Sequence, residues 1–271
     1  VINALTLAIV IIVCAVPEGL PLMISLVLMQ NTSKMLDHNV LVRKAEGIET
    51  AGALNILFSD KTGTITKGEM EVVQFFSGDG TIIDTKQINN YPDIREKLHV
   101  AIGKNTSSMF DEHHRVISGN ATDQALMKFL GEDSYLKMKE DPSLEIFASQ
   151  KFNSSNKFSQ AQIGGLTYYK GAPERLLQKA DRYMGTDGQL HPLDLSCINQ
   201  RIDTLAKKAM RVIAFGYSEE PLQENCISGN LVLIGLAAIR DDVRPEARIA
   251  IHDVQKAGIQ VVMITGDRLE T

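Results

Sequence analysis

Apolar and polar residues are distributed unevenly along the chain. Residues 1–29 carry a single charged side chain, Glu18, and the apolar runs over 1–16 and 20–29 together approach the roughly 20 residues that cross a bilayer as a helix. "VPEGLP" (16–21) divides them. Pro17 and Pro21 each remove a backbone donor and clash with a carbonyl one turn back, so the helix is expected to unwind between them. Carbonyls freed at membrane depth are tolerated only against protein or a wet cavity, and a lone carboxylate there is costly unless paired. A cation held by Glu18 and the unwound carbonyls of roughly residues 13–16 meets both demands. A kinked core helix of a soluble protein, with Glu18 as a cap, fits the same pattern.

Beyond residue 30 the pattern turns amphipathic, suiting a helix that leaves the membrane for a cytosolic domain. "ALNILFS" (53–59) and "LVLIGLAAI" (231–239) are short apolar runs of the kind that form buried parallel strands. A helix follows, with Pro245 at its first position and Gly258 at its stop, and then a third strand, "IQVVMIT" (259–265). The order strand, helix, strand predicts a parallel α/β layer. Between these flanks, short alternating stretches, turns such as "SGDG" and "GTDG", and amphipathic helices predict an α+β domain inserted into a loop of that layer. The expected divisions are 1–30 for the membrane segment, 31–74 and 231–271 for the α/β layer, and 75–230 for the insert.

Composition changes this picture little. The 271 residues are 44% hydrophobic and 23% charged, enough to bury a real core, and the net charge of −5 with no basic stripe argues against nucleic acid. Cys14, Cys197 and Cys226 are too few and scattered for a disulfide framework or a zinc site. The chain starts without Met inside an apolar segment and stops just after a strand, and is expected to be a piece of a longer protein.

"SDKTGTIT" (59–66) places Asp60 at the carboxyl end of a strand, the edge where open parallel sheets bind ligands. A carboxylate there can attack a phosphoryl group and become an aspartyl phosphate. Lys61 adds positive charge, Thr62 and Thr64 add hydroxyls, and Gly63 lets backbone amides approach closely. No Walker-type glycine-lysine cradle is present.

"DKTGTIT" resembles the phosphorylation signature of the P-type cation-pumping ATPases, which have a haloacid dehalogenase-like (Rossmann-like) fold. "PEGLP", "KGAPE" (170–174), "DDVRPE" (241–246) and "MITGD" (263–267) follow the family's order. The resemblance implies ATP as substrate, with Asp60 taking its γ-phosphoryl group and Mg²⁺ bridging Asp60, the Thr62 carbonyl and phosphate oxygens. It implies that Thr265 and Gly266 bind the transferred phosphate and that Asp267 orients the loop. "KFNSSNKFS" (151–159) is similar to the family's adenine-pocket segment, making Phe152 the stacking ring with Lys157 and Lys170 beside it. By the same resemblance Asp123 lies near the base, Arg211 reaches the phosphates, and Asp241 and Arg244 contact ribose and phosphate. The lipid bilayer and the rest of a parent pump are the implied partners, with the α/β layer and insert cytoplasmic.

Glutamate and backbone oxygens in place of a cysteine pair disfavour soft cations and suit Ca²⁺ as the transported ion, and "AVPEGLPL" looks most like the calcium-pumping branch. "TKGEM" (66–70) departs from that branch's usual segment. Nothing matches the family's Thr-Gly-Glu loop or its Gly-Asp-Gly segment, so the sequence is expected to cover one broken helix, the nucleotide domain and part of the phosphorylation domain. Two alternatives fit parts of the pattern: a soluble phosphatase of the same fold, which usually has an aspartate where Thr62 stands, and a nucleotide-binding module alone.

Overall fold

The computed structural model describes residues 2–15 and 19–265. Helices α1 (Ile2–Ala15), α2 (Gly19–Asp37) and α3 (Glu46–Gly52) lead to strand β1 (Ile56–Asp60). Then come β2 (Thr66–Phe76), β3 (Ile82–Ile83), helix α4 (Pro92–Gly103), a hairpin of β4 (Met109–Phe110) and β5 (Val116–Ile117), and helices α5 (Ala121–Leu130) and α6 (Glu132–Glu140). Strands β6 (Ile146–Asn153), β7 (Phe158–Ile163) and β8 (Leu166–Gly171) precede the single-turn α7 (Pro173–Leu176), β9 (Ala180–Met184), β10 (Leu190–Pro192) and α8 (Leu195–Ala206). Strands β11 (Arg211–Ser218) and β12 (Leu231–Val243), helix α9 (Pro245–Lys256) and strand β13 (Gln260–Ile264) complete the order. The chain divides into two compact units, Val1–Phe58 with Ala250–Val262, and Ser59–Ile249 with Met263–Thr271.

In the first unit, α1 and α2 expose their apolar side chains, and the stretch Ile2–Asp37 is long and apolar enough to cross a membrane, with a mean hydropathy of 2.4 in its most apolar window. Residues Gly19–Asp37, Pro21 among them, are helical, whereas residues 16–18, within the stretch expected to unwind, lie outside the described residues. Glu18 lies outside the described residues. β13 pairs with β1 in a two-stranded sheet, and Gln260 N–H donates to the Asn55 carbonyl at 2.9 Å. Pro245 opens α9, and Gly258, at φ 84°, closes it as expected.

The second unit is built on a nine-stranded sheet whose main path runs β10-β9-β12-β11-β8-β7-β6, with β2 and β3 added beyond β12. Here one expectation fails. Residues 231–239 do form a strand, but β12 does not belong to a parallel layer with β1 and β13. It is antiparallel to β2 and β11, with only the β9 pairing parallel. The misreading has a physical cause: helices cover both faces of this sheet, so a central antiparallel strand is buried on both sides and reads as one apolar run. Leu231 and Leu233 enter the core cluster that includes Leu176, Ile198 and Leu205, whereas Val232 and Ile234 enter the opposite one with Leu98, Ile102 and Leu126. A bulge at Gly235 (φ 156°) shifts the parity, so that Leu236 joins the first cluster and Ala237 the second. A Cβ on Gly235 would lie 2.3 Å from the Phe75 ring, which explains glycine there. Because β2 starts at Thr66 and β12 runs to Val243, the expected divisions at 74/75 and 230/231 cut through the sheet. The helix-to-strand run after β12 links strands of two different sheets.

Candidate functional site

Two clefts in the second unit gather most of the candidate residues. The first begins at the amino end of α5. Asn120 caps the helix by accepting from Asp123 N–H at 2.9 Å, and the Asp123 side chain, in the first turn, turns inward to 5% exposure. Lys170, near the end of β8 and equally buried, places Nζ 2.6 Å from Asp123 Oδ1. Burial pushes the Lys170 ammonium below its usual range, and the Asp123 carboxylate opposes that shift. Asp123 Oδ2 lies 3.4 Å from both Ser107 N–H and Asn120 Nδ2, so the acid anchors three segments.

Across from this pair, β6 loses its regular pairing with β7 between Gln150 and Asn153, and Phe152 stands there with its ring 52% exposed. The turn that follows sets Lys157 at φ 62°, a left-handed conformation that costs energy for a side chain of this kind. Lys157 Nζ pairs with Glu174 Oε1 at 3.0 Å, and its carbonyl accepts from Ala172 N–H at 2.9 Å. This approach explains the glycine of "KGAPE": a Cβ on Gly171 would sit 2.6 Å from the Lys157 carbonyl oxygen. Arg211, first residue of β11, donates from Nη1 to the Thr122 hydroxyl at 3.0 Å. Asp123, Phe152, Lys157, Lys170 and Arg211, scattered over 89 positions, thus line one cleft of about 650 Å³. That volume suits a nucleoside-sized ligand, and the half-exposed ring offers a flat apolar face among charged groups.

The second group surrounds the loop after Asp60, which stands exposed at the end of β1. Thr62 (φ −78°, ψ 120°) and Gly63 (φ 78°, ψ −8°) form the centre of a type II turn, which demands glycine at its second central position. Thr66 Oγ1 accepts from Gly63 N–H at 3.2 Å and lies 2.6 Å from Asp241 Oδ2 and 3.0 Å from the Lys61 carbonyl. Asp241 Oδ1 accepts from Gly68 N–H at 3.0 Å. Arg244 donates from Nε to the Thr66 carbonyl (3.1 Å), from Nη2 to that of Gly63 (3.2 Å) and from its backbone N–H to that of Ile65 (2.9 Å). Asp241 and Arg244 were expected on ribose and phosphate; in the structure their polar groups hold the loop that carries Asp60's neighbours. Thr66 and Gly68 organise that loop and were missed in the sequence, although the hydroxyl and the glycine were there to be read. Glu174 and Thr122, partners of Lys157 and Arg211, were missed as well.

Thr265 is exposed just past β13, the strand that pairs with β1. Gly266 and Asp267 lie outside the described residues. No group of three or more histidine, cysteine or acidic side chains suited to a metal occurs among the described residues.

The family description "P-type ATPase, cytoplasmic domain N" matches residues 94–246, from the first turns of α4 to the start of α9. The chain belongs to this family. The matched span holds every side chain of the first cleft. Curated relatives of this P-type ATPase chain include "Calcium-transporting ATPase 7, plasma membrane-type" of Oryza sativa subsp. japonica, 32% identical over 97% of the chain and 27% of the relative. "Plasma membrane calcium-transporting ATPase 3" of Homo sapiens is 34% identical over 96% and 24%, and "Calcium-transporting ATPase 1" of Saccharomyces cerevisiae 29% over 96% and 30%. The P-type ATPase chain therefore spans about a quarter to a third of the length of the relatives it matches.

Proposed function

We propose that this chain is the nucleotide-binding part, with a portion of the phosphorylation domain and one membrane segment, of an ATP-driven cation pump that carries Ca²⁺. The observation that supports this best is the convergence of Asp123, Phe152, Lys157, Lys170 and Arg211 on one cleft within the matched family span. In this reading the adenine stacks on Phe152, while the Asp123–Lys170 pair forms a rigid, polar floor beneath it. Lys157 and Arg211 supply positive charge toward the phosphates.

Asp60 is the nucleophile. One carboxylate oxygen bonds to the γ-phosphorus as the bond from that phosphorus to the β,γ-bridging oxygen breaks, leaving an acyl phosphate on Asp60 and releasing ADP. The turn centred on Thr62 and Gly63, gripped by Thr66, Asp241 and Arg244, fixes the backbone that follows the nucleophile. Mg²⁺ commonly takes one or two protein carboxylates and completes its shell from phosphates and water, and Asp60 with the Thr62 carbonyl fits that habit. When bound, it neutralises charge on the phosphoryl oxygens. A haloacid dehalogenase-like layer completes this site, with Thr265 and Gly266 taken to bind the transferred phosphate and Asp267 to orient the loop. Glu18 and neighbouring carbonyls are the ligands of the transported ion, the apolar stretch lies in the bilayer, and the second unit is cytoplasmic.

The test uses the full-length parent protein. Given radiolabelled ATP and micromolar Ca²⁺, it forms an acid-stable, hydroxylamine-labile phosphoenzyme that Asp60→Asn abolishes. Undiminished labelling of that variant refutes the assignment.

A further inference from the structure

Another cleft of the second unit, of about 420 Å³, is lined by residues of α4, α6, β6 and the segment that follows α4. Its charged lining is Lys104, Lys139 and Lys151, with no carboxylate among the lining side chains. That sign runs against a chain whose net charge is −5. None of the three ammonium groups makes a hydrogen bond or ion pair among the described residues. Lys104 does feel Asp141, whose carboxyl is held below its usual range chiefly by hydrogen bonds from Ser143 and in smaller part by the Lys104 charge. Lys104 caps α4 and Lys139 stands in the last turn of α6, where a cation also suits the helix dipole. Lys151 lies on a strand and has no helix end to balance.

The wall beside these lysines is fixed. Asn105 Nδ2 donates to the Ser159 carbonyl at 3.1 Å, Ser107 N–H to Asp123 Oδ2 at 3.4 Å, and the Ser108 hydroxyl to the Ser118 carbonyl at 3.0 Å. Two hydroxyls on that wall still have a proton to give. Thr106 Oγ1 only accepts, from Ser108 N–H at 3.1 Å, and the Ser107 hydroxyl makes no hydrogen bond among the described residues. The remaining lining is apolar: Met138 is buried against Gly103, while Met109 and Ile146 are 48% and 42% exposed.

We propose that this cleft binds a small phosphorylated molecule, its phosphoryl oxygens taken by Lys104, Lys139 and Lys151 with the Thr106 and Ser107 hydroxyls, and its carbon body laid against Met109 and Ile146. The site is separate from the nucleotide cleft and does not depend on that reading. Lys151 and Phe152 are adjacent on β6 and line different clefts.

The test is competitive acetylation of lysines in the intact chain in detergent micelles, read residue by residue by mass spectrometry. The probes are inorganic pyrophosphate and phenyl phosphate, each compared with sodium chloride of equal ionic strength so that screening cancels. Saturating probe is expected to slow acetylation of Lys104, Lys139 and Lys151 at least 3-fold and to leave exposed Lys86 and Lys179 unchanged. In Lys139→Gln and in Lys151→Gln, about 3- to 10-fold more probe should be needed to protect Lys104, the scale of one partly exposed charge contact. Protection confined to Lys61 and Lys157 overturns the proposal, because the probe then occupies the nucleotide site alone. Lysines that merely balance helix ends would give variants with a lower urea midpoint and no protection by either probe, and that result overturns it too.

Discussion

The Asp123–Lys170 pair offers the most direct check on how the first cleft is held. Its side chains are 6% and 7% exposed with Nζ 2.6 Å from Oδ1, so at an effective dielectric of about 20 their attraction is roughly 6 kcal/mol. Removing two ions from water costs several kcal/mol each, so the pair contributes close to nothing net, whereas breaking it by removing one partner costs about 3–5 kcal/mol. Asp123→Asn and Lys170→Met should each lose about that much, and the double variant should lose close to nothing, so the coupling is about 6 kcal/mol or more. The chain has no tryptophan, so urea denaturation in detergent micelles is best followed by far-ultraviolet circular dichroism. A second signature comes from protons. Lys170 already has a lowered pKa from burial, and losing Asp123 lowers it further. A depressed folded pKa means stability is lost below it and regained as pH rises toward the unfolded lysine value of about 10.4, so the Asp123→Asn deficit shrinks in alkali. A coupling below about 0.5 kcal/mol, or a deficit that ignores pH, refutes this account.

Three further outcomes are expected. Phe152→Ala should weaken ATP binding about 10- to 100-fold, as loss of one base–aromatic stack does, yet leave the urea midpoint nearly unchanged because the ring is half exposed; a large drop in stability would instead make Phe152 a core residue. Ala209 closes α8 at φ 56°, so Ala209→Gly should stabilise the chain by about 0.5–1 kcal/mol by relieving the left-handed strain. His99 is held at a pKa of about 4, chiefly by burial and secondarily by Arg95. Its contribution is therefore complete above the unfolded value of about 6.5 and lost as pH falls toward about 4, so acidifying from pH 7 to 5 should cost about 1–2 kcal/mol, less in His99→Gln.

Much of the site was legible because its chemistry sits in compact words. "DKTGTIT" and "KGAPE" each carry a glycine that the structure requires, Gly63 for a type II turn and Gly171 for contact with the Lys157 carbonyl. The cleft residues Asp123 and Lys170 were found only through family order, since a buried ion pair 47 positions apart leaves no local trace. The fold was harder to read. Burial on both faces looks alike in a parallel strand and in a central antiparallel one, so β12 was assigned to the wrong sheet, and the bulge at Gly235 erased the alternation that would have exposed the error. The work done by Asp241 and Arg244 was likewise hidden, because their partners, backbone groups and the Thr66 hydroxyl, lie more than 170 positions away.

The pairing of β2 with β12 carries one more consequence. Thr66 and Val243 are register partners, so the polypeptide enters and leaves the nine-stranded body one strand spacing apart, about 5 Å. A host that receives this body need only open a gap the width of a hairpin. Cut at those two positions, the piece would be a portable cassette with neighbouring ends, transferable to another tight loop or closed head to tail without stretching a single residue.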